Sequence, residues 1–231
     1  MQIGLLQAGY LPEEFQQDFG DYPAVYNKLM APEGITFKAY PVIDSVFPDS
    51  VHAEVGWLIS GSRHGAYEDH PWIPPLEDFI REAHAQRVPM VGICFGHQII
   101  AQALGGTVEK FAGGWAVGRH VYDWNGRDVA LNVWHQDQVT KAPDGATVFA
   151  TSPFCRNAAM MVGDDVLTMQ PHPEFDRGAT ESLLDGRGPG IVPDQLLAQA
   201  KDALDQPIHD AQIAAQIGAF FKERIGHDRV A

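Results

Sequence analysis

Val88-Pro-Met-Val-Gly-Ile-Cys94-Phe-Gly-His-Gln98 carries the clearest structural signal in this chain. A short apolar run ends at Gly92, Cys94 follows, and Gly96 stands two residues further on. Gly-x-Cys-x-Gly between a strand and a helix is the cysteine form of the nucleophile elbow, a turn too tight for side chains on both flanks. The positive end of the following helix favours the reactive thiolate. The segment therefore predicts a strand, a nucleophile and a helix in direct succession.

Apolar runs alternate with helical patterns on either side of this segment in the first part of the chain. Such a β-α-β-α order predicts an α/β fold with an open, mostly parallel central sheet and helices on both faces. The predicted strands are 3–7, 35–40, 55–60 and 88–93, and the predicted helices are 13–30, 74–87 and 95–104.

The pattern changes after Gly105-Gly106 to short strand-like runs separated by turn signals. Trp124-Asn-Gly126 and Pro143-Asp-Gly145 are typical of tight turns between strands, so we expect antiparallel hairpins attached to the parallel sheet. The predicted strands of this part are 107–110, 117–123, 129–133, 146–150, 157–162 and 166–170.

A Gly- and Pro-rich break at 186–190 is followed by helical patterns at 194–204 and 208–225. We expect 186–231 to be a C-terminal helical extension packed on a single domain that spans 1–231, because an apolar stripe usually faces a core. A partner-binding face is the alternative use of the stripe. Its members are Ile213, Ile217, Phe220 and Phe221.

The formal net charge is −14, with 30 acidic residues against 16 basic ones. Such a surface repels nucleic acid and anionic membranes, so we expect neither as a partner. No apolar stretch approaches the roughly 20 residues of a membrane span, and the start of the chain resembles a first strand more than a signal peptide. Cys94 and Cys155 are too few for a disulfide scaffold, which favours a cytoplasmic location.

A thiolate needs a base to activate it and an acid to protonate the leaving group, and histidine does both near neutral pH. Among ten histidines, His172 stands just past a predicted strand, where sites form in open α/β sheets. The flanking prolines hold the backbone extended, so the side chains of His172 and Glu174 point the same way. Glu174 is then placed to orient the ring, and the predicted catalytic residues are Cys94, His172 and Glu174.

Backbone N–H groups must stabilise the oxyanion that develops during such an attack. The N–H of Phe95 is one donor by elbow geometry, and Gly61, after another predicted strand, is the expected second. Neither His-x-x-x-His nor Cys-x-x-Cys spacing occurs around Cys94 and His172, so we expect no metal there and no cofactor.

These residues resemble the class I (triad-type) glutamine amidotransferases. The resemblance is closest to free-standing proteins similar to the amidotransferase domain of GMP synthetase. It covers about residues 1–185 in family order, and it implies a flavodoxin-like fold. The matching pieces are Ser60-Gly61, Gly92-Ile-Cys94-Phe-Gly96-His-Gln98, Trp134-His-Gln-Asp137 and Pro171-His172-Pro-Glu174.

The resemblance implies hydrolysis of the glutamine side-chain amide through a γ-glutamyl thioester on Cys94, giving glutamate and ammonia. No ATP-binding loop is recognised, so any ammonia acceptor is expected to be a separate synthetase or other protein. By motif position, Gly61 and Phe95 line the oxyanion hole, and Gln98, Trp134 and His135 contact the substrate.

Two other functions stay open at this point. A γ-glutamyl peptidase acting on glutathione-like conjugates would use the same triad, and the loop at 63–72 would decide whether a peptide fits. A non-catalytic regulatory subunit on the same fold is the third hypothesis, because a fold alone does not fix function. The sequence departs from many family members at Ser62 and Arg63, which follow Gly61, and at Trp134.

Overall fold

A nine-stranded sheet runs through the centre of the computed structural model, which describes residues 1–227. The last four positions of the domain predicted over 1–231 lie outside the described residues. Together with a separate two-stranded sheet, the described residues contain these strands: β1 (Gln2–Leu6), β2 (Thr36–Tyr40), β3 (Trp57–Ile59), β4 (Met90–Ile93), β5 (Thr107–Lys110), β6 (Ala116–Trp124), β7 (Asp128–His135), β8 (Asp137–Lys141), β9 (Thr147–Thr151), β10 (Ala159–Val162) and β11 (Val166–Met169).

Five neighbouring strands, in the order β2, β1, β3, β4 and β11, pair in parallel, so their carboxyl ends share one edge of the sheet. The sheet continues through β10, β9, β6 and β7 with antiparallel pairing, and β5 and β8 form a separate antiparallel pair. Asn125 and Gly126 join β6 to β7 with φ of 54° and 78°, as the expected tight hairpin turn requires. The predicted α/β fold with an added antiparallel region is confirmed.

Seven helices accompany the sheet within the described residues. The predicted helix over 13–30 is wrong in one respect, because two helices occupy this range. Gly20 separates them with φ of 75°, and the second helix begins at Tyr22 with Pro23 in its first turn. Strand β8 and the helix at Arg177–Gly186 were not predicted. The helices are α1 (Glu13–Phe19), α2 (Tyr22–Met30), α3 (Ile73–Ala85), α4 (Phe95–Ala103), α5 (Arg177–Gly186), α6 (Asp194–Asp202) and α7 (Asp210–His227).

Two clusters of buried side chains cover the two faces of the parallel strands. Successive side chains of a strand point to opposite faces, and Leu58 accordingly belongs to one cluster whereas Trp57 and Ile59 belong to the other. The first cluster includes side chains from α1, α2, α5, α6 and α7, and the second includes those of α3 and α4. Helices therefore lie on both faces, as predicted.

Helix α7 joins the first cluster through its apolar stripe. Ile213, Ile217 and Phe221 are fully buried, and Phe220 is nearly so. The stripe faces the core, as the sequence analysis expected. Within residues 1–227, no helix is both long and apolar enough to cross a membrane.

Candidate active site

Cys94 forms a sharp turn between β4 and α4. Its backbone has φ of 54° and ψ of −105°, a conformation that residues with a side chain rarely adopt. The N–H of Cys94 donates to the carbonyl oxygen of Met169 at 2.9 Å, which ties the turn to the neighbouring strand β11. Cys94 is thus held at the carboxyl edge of the parallel strands, where sites in such sheets form.

The two glycines that flank Cys94 leave no room for a side chain. A Cβ atom on Gly92 would lie 2.5 Å from the carbonyl oxygen of Gly96, and one on Gly96 would lie 2.2 Å from that of Ile59. The helix can therefore start this close to β3 and β4 only with glycine at both positions. This packing is the physical basis of the Gly-x-Cys-x-Gly pattern.

His172 follows β11, which pairs directly with β4, and the two strands bring Cys94 and His172 to the same edge. The N–H of His172 donates to the carbonyl oxygen of Asn132 at 2.8 Å, and its ring stacks on Phe175 at 4.2 Å between centroids. Nδ1 of His172 lies 2.7 Å from Oε1 of Glu174, and both side chains are almost completely buried. Backbone and ring contacts thus fix the orientation of the imidazole.

Burial alone would lower the pKa of His172, because it penalises the charged ring. The negative charges of Glu174 and of the Cys94 thiolate, with hydrogen bonds to both side chains, outweigh burial and raise that pKa above its ordinary value. The imidazole is thereby disposed to hold a proton beside the sulfur. A thiolate–imidazolium pair is the reactive form of cysteine hydrolases.

Two buried tyrosines, Tyr22 and Tyr26, lie beside this group, and no local sequence pattern indicates either of them. The phenol of Tyr26 donates to Oε1 of Glu174 at 3.0 Å. The rings of Tyr22 and Tyr26 stack with centroids 5.8 Å apart. Burial, together with the nearby negative charges of Glu174 and Cys94, raises the pKa of both phenols well above the ordinary value, so both stay protonated.

The turn after β3 places Gly61 beside the same centre. The carbonyl oxygen of Ser60 accepts the N–H of Gly96 at 3.1 Å, which fastens this turn to the start of α4. A Cβ atom on Gly61 would lie 2.7 Å from Oη of Tyr22 and 3.2 Å from Cε1 of His172. The N–H of Phe95 lies ahead of the first hydrogen bond of α4 and has no partner within the helix. Gly61 thus lies beside His172 and near the start of α4, and Phe95 follows Cys94 directly; these two residues are the predicted oxyanion hole.

A cavity of about 190 Å³ opens above Cys94. Three cationic side chains line this cavity, although the chain as a whole has a net charge of −14. The predicted substrate-binding residues also line it. The lining consists of Ser62, Arg63, His64, Gly65, Tyr67, Glu68, Cys94, Gln98, Lys110, Trp115, Trp134, His135, Gln136, Asp137 and Arg187.

The three predicted substrate contacts are not equally available. Nε2 of Gln98 donates to the carbonyl oxygen of Asp137 at 2.9 Å and to Oε1 of Gln170 at 3.0 Å, so this amide nitrogen is used by the fold. Burial lowers the pKa of His135 to about 3, so its ring is neutral. The carbonyl oxygen of Trp134 lies 4.0 Å from Sγ of Cys94. The main chain at Trp134 therefore lies close to the Cys94 sulfur. The amide nitrogen of Gln98, in contrast, is already hydrogen-bonded within the protein.

Cys155, the second cysteine, lies apart from this centre in the core. Cys155 and Cys94 are both free cysteines. Burial raises the pKa of Cys155 to about 12. Its thiol stays protonated near neutral pH and is therefore a poor nucleophile.

The family model described as glutamine amidotransferase class-I matches residues 56–185, more than half of the chain. The chain therefore belongs to the class-I glutamine amidotransferase family. The matched range contains Cys94, His172 and Glu174, and it also contains Gly61 and Gln98.

This chain is similar to proteins named γ-glutamyl peptidases and to proteins named GMP synthases. γ-Glutamyl peptidase 4 of Arabidopsis thaliana is 32% identical over 74% of both chains, and γ-glutamyl peptidase 2 of the same plant is 29% identical over 91% of both. A glutamine-hydrolysing GMP synthase of Lactobacillus delbrueckii is 30% identical over 61% of this chain and 29% of its own length.

Solved structures show the same fold. A glutamine amidotransferase of Methylobacillus flagellatus superposes with a TM-score of 0.77 at 22% identity, over 96% of this chain and 94% of that one. A glutamine amidotransferase of Thermotoga maritima gives 0.72 at 18% identity, over 96% and 98%. At these identities the likeness concerns the fold alone.

Proposed function

We propose that this chain hydrolyses a γ-glutamyl amide through a thioester on Cys94, with glutamine as the first candidate substrate. The observation that carries the proposal is the meeting of Cys94, in its strained turn, with the buried His172–Glu174 pair at the ends of adjacent parallel strands. Membership of the family supports the same reaction class.

In the first half of the reaction, the Cys94 thiolate attacks the carbon of the side-chain amide. The carbonyl π electrons move onto oxygen, and the N–H groups of Phe95 and Gly61 donate to that oxyanion. The intermediate collapses and the carbon–nitrogen bond breaks. The nitrogen takes the proton held by His172 and leaves as ammonia, or as an amine if the substrate is a peptide.

In the second half, His172 removes a proton from water, and the hydroxide attacks the thioester carbon. The carbon–sulfur bond breaks, glutamate leaves, and the ring again holds a proton beside the Cys94 thiolate. Glu174 keeps the imidazole in one tautomer and stabilises its positive charge throughout. Tyr26 holds the carboxylate through its hydrogen bond of 3.0 Å.

The ammonia is proposed to serve a separate acceptor enzyme. Support for such a partner comes from the resemblance to GMP synthases, whose names state that they hydrolyse glutamine. A cytoplasmic setting would suit a reactive thiol that must stay reduced.

A γ-glutamyl peptide is the second candidate substrate. Glutamine carries one carboxylate, whereas a γ-glutamyl peptide carries a further carboxylate on its leaving group. The cationic side chains of Arg63, Lys110 and Arg187 at the cavity suit additional negative charge. The Arabidopsis relatives named γ-glutamyl peptidases, at 29–32% identity, favour the same substrate.

Parallel rate measurements separate the two candidates. Ammonia release from glutamine and cleavage of a panel of γ-glutamyl dipeptides are measured with the same preparation, with the Cys94→Ala variant as the background. Higher kcat/KM on glutamine supports the first candidate. Rates on glutamine no better than the Cys94→Ala background, with rapid dipeptide cleavage, would reject it in favour of the second. No turnover of either would support the regulatory subunit.

A further inference from the structure

Three metal-type ligands meet in the loop between β3 and α3, outside the residues assigned to the reaction. Nδ1 of His64 lies 3.1 Å from Oε2 of Glu68, and Nε2 of His70 lies 2.6 Å from the same oxygen. One ligand atom from each of the three side chains lies within 4.8 Å of the other two. Two imidazole nitrogens and one carboxylate oxygen thus converge on a single point.

The spacing suits a tetrahedral zinc ion. Ligands about 2.0–2.2 Å from zinc stand about 3.3 Å apart in a tetrahedron, so the observed separations need only small side-chain shifts. Two histidines and a glutamate form a known zinc ligand set, which leaves the fourth position to water. Irregular sequence spacing, His-x-x-x-Glu-x-His, is compatible because the loop and not a helix supplies the ligands.

The neighbouring groups already orient these ligands. The N–H of Gly65 donates to Oε1 of Glu68 at 3.0 Å, which leaves Oε2 turned toward the two histidines. The ring of His70 stacks on Trp72, with centroids 6.0 Å apart and planes 11° apart. Such outer contacts fix ring and carboxylate orientation in metal sites.

Arg63 is the nearby cation, and its Nε lies 3.5 Å from Nε2 of His64, too far to fix the ring against a metal ion.

We propose that His64, Glu68 and His70 bind a divalent zinc ion at the wall of the active-site cavity. His64 and Glu68 line the cavity that holds Cys94, so the ion fixes the loop beside the substrate. Trp72, on which His70 stacks, also contacts Phe95 with ring centroids 5.5 Å apart. Occupancy of the site therefore stiffens the loop next to the residue that follows the nucleophile.

The test is a calorimetric titration of the full chain with zinc alone. It uses the Cys94→Ala variant as parent, since the Cys94 sulfur beside His172 would otherwise offer a competing site for the ion. We expect one zinc ion per chain in this parent. Adding His70→Ala or Glu68→Gln should weaken binding at least tenfold, whereas adding the control His52→Ala, at an exposed histidine, should leave it unchanged.

Hydrogen exchange supplies a second measurement on the same proteins. Zinc should slow exchange across 62–72 in the Cys94→Ala parent and not in the variant that also carries His70→Ala. Absence of zinc binding to the parent, or equal affinity with and without His70→Ala, would overturn the proposal. Neither measurement depends on turnover, so the outcome is independent of the proposed reaction.

Discussion

Tyr26 donates its phenolic hydrogen to Oε1 of Glu174 at 3.0 Å, and the same oxygen faces Nδ1 of His172 at 2.7 Å. The other carboxylate oxygen, Oε2, is buried and has no hydrogen-bond partner among residues 1–227. When a buried carboxylate has so few hydrogen-bond donors, the loss of any one of them is costly. The tyrosine therefore helps to hold Glu174 in place behind the imidazole.

Replacing Tyr26 by phenylalanine should lower kcat about ten- to a hundredfold. A hydrogen bond to a charged group contributes about 1.5–3 kcal/mol, and 1.4 kcal/mol corresponds to a factor of ten. Steady-state kinetics on the better substrate measures the change. Tyr40→Phe is the control, because the phenol of Tyr40 bonds to Glu54 away from the site. Equal losses in both variants would mean that Tyr26 has no specific role.

Glu174→Gln should lower kcat by about two to four orders of magnitude, because the imidazole loses the partner that sets its tautomer and stabilises its charge. The variant should also move the alkaline limb of the kcat/KM profile to lower pH. Burial lowers the pKa of His172 and the Glu174 charge raises it, so the protonated ring is lost earlier once that charge is gone.

The pH profile of Glu174→Gln is compared with that of Glu181→Gln, which removes an exposed carboxylate paired with Arg177. Only the first variant should shift the limb. An alkaline limb that stays in place in Glu174→Gln would show that another group controls it.

Gly61→Ala should reduce kcat about a hundredfold, because displacement of reacting groups by about 1 Å has effects of this size. The added methyl would lie 2.7 Å from Oη of Tyr22 and would press on His172. Adding Tyr22→Phe removes that oxygen, so the loss caused by Gly61→Ala should be smaller in the Tyr22→Phe background.

The control for this pair of variants is Gly226→Ala in α7, where an added Cβ meets nothing within 4 Å. It should leave kcat unchanged. A Gly61→Ala enzyme with normal kcat would place the oxyanion donors elsewhere, and an equal loss in both Tyr22 backgrounds would exclude the steric explanation.

Arg187→Gln should raise KM for γ-glutamyl dipeptides about tenfold and change KM for glutamine much less, because a charge-assisted hydrogen bond to the second carboxylate is lost. Arg127→Gln, at an exposed turn far from the cavity, serves as the control. If Arg187→Gln raises both KM values by the same factor, Arg187 contacts the shared γ-glutamyl part of the two substrates.

Local sequence patterns are enough to predict much of the fold. Tight packing around Gly92 and Gly96 leaves a readable sequence pattern, and the parallel strands are continuous apolar runs. The meeting of Cys94 with His172 was predictable because both residues follow strands of one parallel sheet. The break at Gly20 was also readable, since Pro23 cannot stand in a helix interior, but the amphipathic pattern on both sides concealed it.

Other parts of the site left no local signal. Tyr26 is 148 positions from Glu174 and looks like an ordinary core residue of α2. The convergence of His64, Glu68 and His70 depends on the path of a loop, which periodicity does not predict. Helix α5 was missed although Asp176 caps it through the N–H of Ala179 at 2.9 Å. The engagement of the Gln98 amide by Gln170 likewise follows only from the tertiary structure.

The most direct test of the central claim is covalent labelling by a diazo-ketone analogue of glutamine, followed by peptide mapping. A thiolate held in a γ-glutamyl site should take one label per chain, on Cys94, and free glutamine should protect it. The Cys155→Ala variant should label as the wild type does, and Cys94→Ala should not label. Label on Cys155, or a wild-type chain that stays unlabelled, would contradict the account.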